Sequence, residues 1–177
     1  MNLQTKTEKL LATIFMLAFT LWLGGSLIRT IVAYSVFDTS ATQTLISQVS
    51  NDILMQTVYL FAAATVYTLP TYLIALAIVI YFAVKYKKEY KTAGWLFMSI
   101  VLFLIAAPMQ LYNAYLDVQL SMHIFWGGNW EFYSEQIQNF FLKRFTTIWQ
   151  NSFSGLSYLA NLTIIIFIVW QPLKKKV

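Results

Sequence analysis

The chain carries few side chains that could do chemistry, and the densest group lies in SMHIFWGGNWEF, residues 121–132. This stretch holds the only histidine, His123, with two tryptophans and a Gly-Gly pair. One histidine cannot supply the two axial ligands of a bis-histidine haem. The chain has no cysteine, which excludes disulfides, thiolate metal sites and iron–sulfur clusters. We therefore expect no metal and no cofactor, and we interpret His123 as an interfacial side chain.

Catalytic signatures are also missing from the sequence. Nucleophilic catalysis needs a serine or cysteine beside a base, and His123 has no recognisable partner motif. The aspartates Asp38, Asp52 and Asp117 could form a dyad only if two of them met, and none of them lies in a catalytic signature. We therefore expect that the protein is not an enzyme.

Polar side chains within apolar stretches are the remaining candidates, because they are expensive in lipid and should face one another or water. Gln110, Asn113 and Asp117 are spaced three and four residues apart, which places them on one face of a helix. Two interpretations stay open: a hydrogen-bond network between helices, or an outward-facing pocket for a lipophilic ligand. The pocket interpretation uses Tyr59, Tyr67, Gln110, Asn113 and Asn161.

A charged pair is predicted at the outer boundary of the membrane. Arg29 lies twenty residues beyond Lys9, roughly 30 Å along a helix. Asp117 follows the third apolar run and should reach the same depth. We predict a structural ion pair between Arg29 and Asp117, with snorkelling of Arg29 to water as the alternative.

Four apolar runs must position these residues. The composition is 59% hydrophobic and 11% charged, far from the balance of soluble domains. Each run is about as long as the roughly 20 residues that cross the hydrocarbon core. We predict an all-α, antiparallel four-helix transmembrane bundle, a single domain over residues 1–177. Its predicted helices span about 10–37, 53–86, 93–119 and 135–171.

An interfacial segment is predicted between the third and fourth helices, where residues 120–134 break the helical pattern. Aromatic rings favour the headgroup layer, with their apolar body in lipid and their polar edge in water. Ile137, Phe140, Phe141 and Phe145 then form the apolar face of an amphipathic section that leads into the last helix. The predicted membrane-interface residues are Phe125, Trp126, Trp130, Phe132 and Tyr133.

The charge distribution predicts the orientation. Nine lysines fall on one side if the chain crosses the membrane four times, and the positive-inside rule makes that side cytoplasmic. We therefore expect an inner-membrane protein with both termini in the cytoplasm. The net charge of +5 is explained by this arrangement, so no nucleic-acid partner is expected. The lysines are Lys6, Lys9, Lys85, Lys87, Lys88, Lys91, Lys174, Lys175 and Lys176.

Two functions fit such a chain. The first is a non-catalytic accessory or assembly subunit of a larger membrane complex, because its many aromatic side chains offer surface for contacts with other integral membrane subunits and with lipids. The alternative is a small carrier or binding protein for a lipophilic ligand such as a quinone or lipid, held in the outward-facing polar pocket. Co-purification with stoichiometric partners distinguishes the first from the second.

Overall fold

The computed structural model describes residues 5–38, 45, 49–127 and 131–172. Within this part of the chain, four helical stretches are long and apolar enough to cross a membrane. The protein is therefore a polytopic membrane protein, and the predicted all-α four-helix bundle is confirmed. The four stretches are Lys6–Tyr34, Asn51–Lys85, Gly94–Trp126 and Trp149–Trp170.

The first helix, α1, runs from Lys6 to Tyr34 and starts at a capping box. The Glu8 amide donates to Thr5 Oγ1 at 3.2 Å, and the Thr5 amide donates to Glu8 Oε2 at 3.1 Å. These two bonds satisfy amides that have no partner within the helix. The helix ends at Tyr34, before the predicted boundary at residue 37.

The second membrane stretch is divided at Ala64 into α2 (Asn51–Ala63) and α3 (Thr65–Lys85). Pro70 lies inside α3, six residues after this division. A proline ring clashes with the carbonyl four residues earlier, so a distortion on its N-terminal side is the expected response.

The third membrane helix, α4, spans Gly94–Trp126 and is longer than predicted. It follows a short 3₁₀ turn, Lys87–Lys91, and continues past the expected end at residue 119. Leu116, Leu120 and Ile124 are spaced four apart and all are buried, so the apolar face continues through the region that was expected to break the helix.

A connecting segment, residues 135–146, precedes the last membrane helix. It consists of α5 (Glu135–Ile137), a π-helical turn (Gln138–Leu142) and α6 (Lys143–Thr146). Thr147 is extended, with φ −80° and ψ 116°, and separates it from α7 (Ile148–Trp170). The single helix expected over 135–171 is thus interrupted at Thr147.

Two apolar clusters fill the bundle. One contains Trp22, Tyr72 and Phe103. It lies toward the end of the bundle that carries Lys6, Lys9 and Lys85, which we call the lysine-rich end. The other contains Phe61 and Phe141 and lies toward the connecting segment. The buried polar residues of α1, α3 and α4 lie between these clusters along each helix, and we call them the polar layer.

At the lysine-rich end, an ion pair joins α1 to α3. Lys85 Nζ lies 2.7 Å from Glu8 Oε1, which brings the end of α3 beside the start of α1. Tyr86 is buried there, and its loss of solvent and the nearby Glu8 carboxylate raise the pKa of its hydroxyl. The neutral phenol is therefore favoured at this end.

Candidate functional site

The centre of the polar layer is Arg29, whose side chain is 5% exposed. Its Nη2 atom lies 3.0 Å from Asp117 Oδ2, so the two residues predicted to pair are in contact. Its Nη1 atom donates to Thr68 Oγ1 at 2.8 Å, and Nη2 donates to Thr65 Oγ1 at 3.1 Å. The two threonines are three residues apart on one face of α3, so this helix supplies two acceptors to one guanidinium.

A second arginine, Arg144 of α6, joins the same carboxylate. Its Nη1 atom pairs with Asp117 Oδ1 and also donates to the Asn113 carbonyl at 3.1 Å. Arg144 was not among the residues predicted to form this ion pair. Its position holds a signal that was missed: it lies seven residues after Ile137, on the same helical face as Phe141, where a charge needs a buried partner.

Phe61 lies beneath both guanidinium groups. The Cζ atom of Arg29 is 4.1 Å from the ring centroid, and that of Arg144 is 5.2 Å from it. The ring is buried, so its negative face stabilises two cations in an environment that water does not screen. We call Arg29, Phe61, Asp117 and Arg144 the charge cluster.

The charge cluster contains two guanidiniums and one carboxylate. Asp117 bonds to both arginines with separate oxygen atoms. Among the described side chains that contact one another here, one positive charge therefore has no carboxylate of its own. An uncompensated charge away from water is costly, so a further negative group beside the cluster would be stabilising.

A seam of amides and hydroxyls joins α4 to α7. Gln110 Nε2 donates to Ser157 Oγ at 2.7 Å, and Asn113 Nδ2 donates to Ser154 Oγ at 3.1 Å. The donors on α4 are three residues apart, and so are the acceptors on α7. Because the two helices are antiparallel, both pairs can form at once. Asn161 is buried one turn further on and donates to the Ser157 carbonyl at 2.7 Å.

A small cavity of about 20 Å³ lies beside the charge cluster. Arg29 Nε, Tyr72 Oη and Asn113 Oδ1 are buried and have no hydrogen-bond partner in the described part of the chain. All three residues line this cavity, which is large enough for one water with two or more polar partners.

A larger cavity, of about 240 Å³, lies between α1 and α7. Two hydrogen-bonded bridges frame it: Thr30 Oγ1 is 3.0 Å from Tyr158 Oη, and Tyr34 Oη donates to Asn151 Oδ1 at 2.8 Å. We call this space the α1–α7 crevice. Its further lining residues are Arg144, Phe145, Ser154 and Gly155.

Gly155 contributes to the width of the crevice. A Cβ atom added at this position would meet nothing within 4 Å. Arg144 lines both the crevice and the small cavity, so the charge cluster borders each of them.

The predicted pocket residues are therefore only partly together. Gln110 and Asn113 line the small cavity, and Asn161 lies further along the α4–α7 seam. Tyr59 is 38% exposed and packs edge-on against Phe125, with ring centroids 5.5 Å apart. Tyr67 is 44% exposed and packs beside Gly25 of α1. The crevice residues Thr30, Tyr34, Asn151 and Tyr158 were not predicted, because their faces meet only when α1 and α7 are neighbours.

The aromatic residues expected at the interface occupy different environments. Trp126 is 80% exposed, and Phe125 and Tyr133 are also exposed, as rings in a headgroup layer would be. Phe132 is fully buried and contacts Phe141, because the connecting segment folds onto the bundle and covers it. The interfacial interpretation of Phe132 does not fit this position. Trp130 lies outside the described residues.

His123 belongs to α4 and is half-buried. Its Nε2 atom is buried with no hydrogen-bond partner among the residues that the structure describes. The same residues contain no group of three or more histidine, cysteine or acidic side chains able to hold a metal ion.

The fold and the charge cluster define a polytopic, all-α membrane protein with a buried polar layer. Comparison with protein-family models, with curated proteins and with solved structures finds no match for this chain.

Proposed function

We propose that this chain is a non-catalytic membrane protein that binds a lipophilic ligand, such as a quinone or lipid, in the α1–α7 crevice. The observation that carries the proposal is the cavity of about 240 Å³ between these helices. An apolar cavity of roughly 150 Å³ holds benzene in a soluble protein, so this space suits a ring-sized or headgroup-sized moiety.

The lining of the crevice supports a ligand with a polar end. Thr30, Tyr34, Ser154 and Tyr158 offer hydroxyls, and Asn151 offers an amide. A few polar groups within an apolar surround are typical of small-molecule sites, where they set the orientation of the ligand. The surrounding membrane supplies the ligand at high local concentration.

The proposed location is the inner membrane, with both termini in the cytoplasm. The positive-inside rule supports this orientation. The crevice would then lie in the outer half of the bilayer, since it is near the end of α1 that is far from Lys6 and Lys9.

The test uses the purified protein in nanodiscs and a cavity-filling variant. Gly155→Leu should lower the affinity for a short-chain quinone or a phospholipid by roughly ten- to hundredfold, because filling an occupied space costs about 1–3 kcal/mol. Stability should not fall, since glycine is a poor helix former. Native mass spectrometry and ligand titration measure the two effects.

Gly24→Leu is the matched control. Gly24 also lies within a membrane helix and also has nothing within 4 Å of an added Cβ, but it lines neither cavity of the site. Ligand binding should be unchanged in this variant. Equal binding by the wild type and Gly155→Leu would reject the crevice as the site.

An accessory subunit of a larger membrane complex is the second candidate. Only 17% of the apolar stretch of α7 is buried inside the chain, against 33–44% for the other three spans. Trp149, Leu156 and Leu159 are among the large side chains that face outward from this helix. An apolar helix of another subunit and a lipid chain both suit such a face. A stoichiometric protein that co-purifies in mild detergent would favour the subunit, whereas a chain that purifies alone with bound ligand favours the binding protein.

A further inference from the structure

We infer that the ligand of the α1–α7 crevice is an anionic amphiphile, whose carboxylate or phosphate group pairs with Arg144. This inference rests on the proposed binding function and specifies the chemistry of the ligand. It starts from the charge cluster, where two guanidiniums share the single carboxylate of Asp117.

Arg144 lines the crevice and has donors that its contacts within the charge cluster do not use. Its ion pair with Asp117 and its bond to the Asn113 carbonyl both use Nη1. The Nε and Nη2 atoms make no hydrogen bond to any residue in the described ranges. A side-on guanidinium edge of this kind matches the two oxygens of a carboxylate or phosphate.

Arg29, by contrast, is turned away from the crevice. Both of its terminal nitrogens are used by Thr65, Thr68 and Asp117. It lines the small cavity and not the crevice. Of the two arginines, Arg144 is therefore the one that can place the excess positive charge of the cluster beside the α1–α7 crevice.

Ser154 adds a neutral donor to the lining of the crevice. Its oxygen accepts a hydrogen bond from Asn113 at 3.1 Å, which leaves its own hydroxyl hydrogen to be donated elsewhere. Ser154 lines the crevice, so an oxygen held by Arg144 could also accept from this hydroxyl.

The volumes of the two cavities favour an amphiphile over a small ion as the ligand of the crevice. The small cavity of about 20 Å³ accommodates a water-sized occupant, whereas the crevice of about 240 Å³ accommodates a headgroup with part of its chain. A negative headgroup anchored on a hydrocarbon chain satisfies both the charge of Arg144 and the apolar surroundings of the spans.

The experiment compares oleate with oleyl alcohol, which share one chain and differ in the charged headgroup. Binding is measured by equilibrium dialysis against protein in nanodiscs of zwitterionic lipid, with empty nanodiscs as the blank. We expect oleate to bind about tenfold tighter or more, because charge-assisted hydrogen bonds are roughly twice as strong as neutral ones. Arg144→Gln should remove this preference and Arg144→Lys should retain part of it.

Two further arms identify the source of the anion. Phosphatidylglycerol in the nanodisc should compete with oleate, and millimolar acetate should not. Competition by acetate at that concentration would overturn the need for a chain. A preference for oleate that survives Arg144→Gln would overturn the role of Arg144.

The outcomes also separate this inference from the proposed function. If oleate and oleyl alcohol bind equally well and Gly155→Leu weakens both, the crevice is a ligand site and the anionic preference is wrong. If neither amphiphile binds above the blank, the inference fails, and the titration with quinone and phospholipid decides the proposed binding function separately. Should Arg144→Gln prove unstable, the comparison of the two amphiphiles in the wild type still decides the preference.

Discussion

At the scale of single residues, Asp117 is the carboxylate that links the two buried arginines of the charge cluster. It is 4% exposed and bonds to a different arginine with each carboxylate oxygen. Without its charge, the Arg29 and Arg144 guanidiniums, which both lie over the buried Phe61 ring, would lose the carboxylate they share. Two like charges in that position repel strongly, because little water is present to screen them.

Asp117→Asn should therefore be strongly destabilising, by about 3–5 kcal/mol, since it leaves buried charges without compensation. Asp52→Asn serves as the control: Asp52 is exposed in the first turn of α2, where its charge is worth about 0.3–1 kcal/mol. Thermal and SDS-induced unfolding in detergent measure both. Losses of similar size in the two variants would contradict the central role of Asp117.

Part of this arrangement can be predicted from the sequence. Counting residues from the lysines gives Arg29 and Asp117 the same depth, and the structure places them 3.0 Å apart. The spacing of Arg144 from Ile137 and Phe141 could have assigned it to the packed face of the connecting segment, but its depth could not be counted, because that segment turns back onto the bundle. The hydrogen bonds of Thr65 and Thr68 were also beyond prediction, since threonines occur on any face of a membrane helix.

At the scale of elements, the contact between α1 and α3 depends on a glycine. A Cβ added at Gly25 would lie 2.5 Å from the Tyr67 ring and 2.9 Å from Thr68 Cγ2. The space beside Gly25 is filled by side chains of α3. The Thr68 hydroxyl also accepts a hydrogen bond from Arg29, so the close approach of α1 and α3 helps to position the charge cluster.

Gly25→Ala should lower stability by about 1–3 kcal/mol, because the added methyl group overpacks the α1–α3 contact. Gly24→Ala should be neutral or stabilising by up to about 1 kcal/mol, since its Cβ meets open space and alanine favours the helix. Apparent melting temperatures of the two variants in one detergent provide the comparison. A stable Gly25→Ala protein would show that α3 shifts at little cost.

The four spans were predictable because lipid demands long apolar helices. Their ends were less so. Helix α4 continues to Trp126 because Leu116, Leu120 and Ile124 form one buried face, while the nearby aromatic residues suggested an interface instead. The connecting segment was predicted to be amphipathic, but its apolar side packs on the bundle, with Ile137, Phe141 and Phe145 all buried.

At the scale of the whole molecule, the described charges are divided between the two ends of the bundle. The contact of Glu8 with Lys85 holds the lysine-rich end together. The charge cluster lies far from it, between the two apolar clusters. This separation supports the proposed orientation, in which the lysine-rich end faces the cytoplasm.

Reporter fusions at Met1 and at Val177 should both give cytoplasmic signals, and a reporter inserted after Asp38 should give an external one. The reason is the excess of lysine at one end, which disfavours translocation of that end. Replacing Lys87, Lys88 and Lys91 together with glutamine should weaken the orientation. An external signal from the Val177 fusion would refute the proposed topology.

The distance along the chain between Arg29 and its carboxylate has a consequence for biosynthesis. Arg29 is delivered to the membrane with α1, whereas Asp117 follows only with α4, roughly ten seconds later at ordinary rates of translation. During that interval the arginine has the hydroxyls of α3 as its first intramolecular partners, and Arg144 arrives last of all. A nascent chain halted before Asp117 would carry a buried cation without its carboxylate, which is costly in the bilayer and should leave the unfinished bundle less stable.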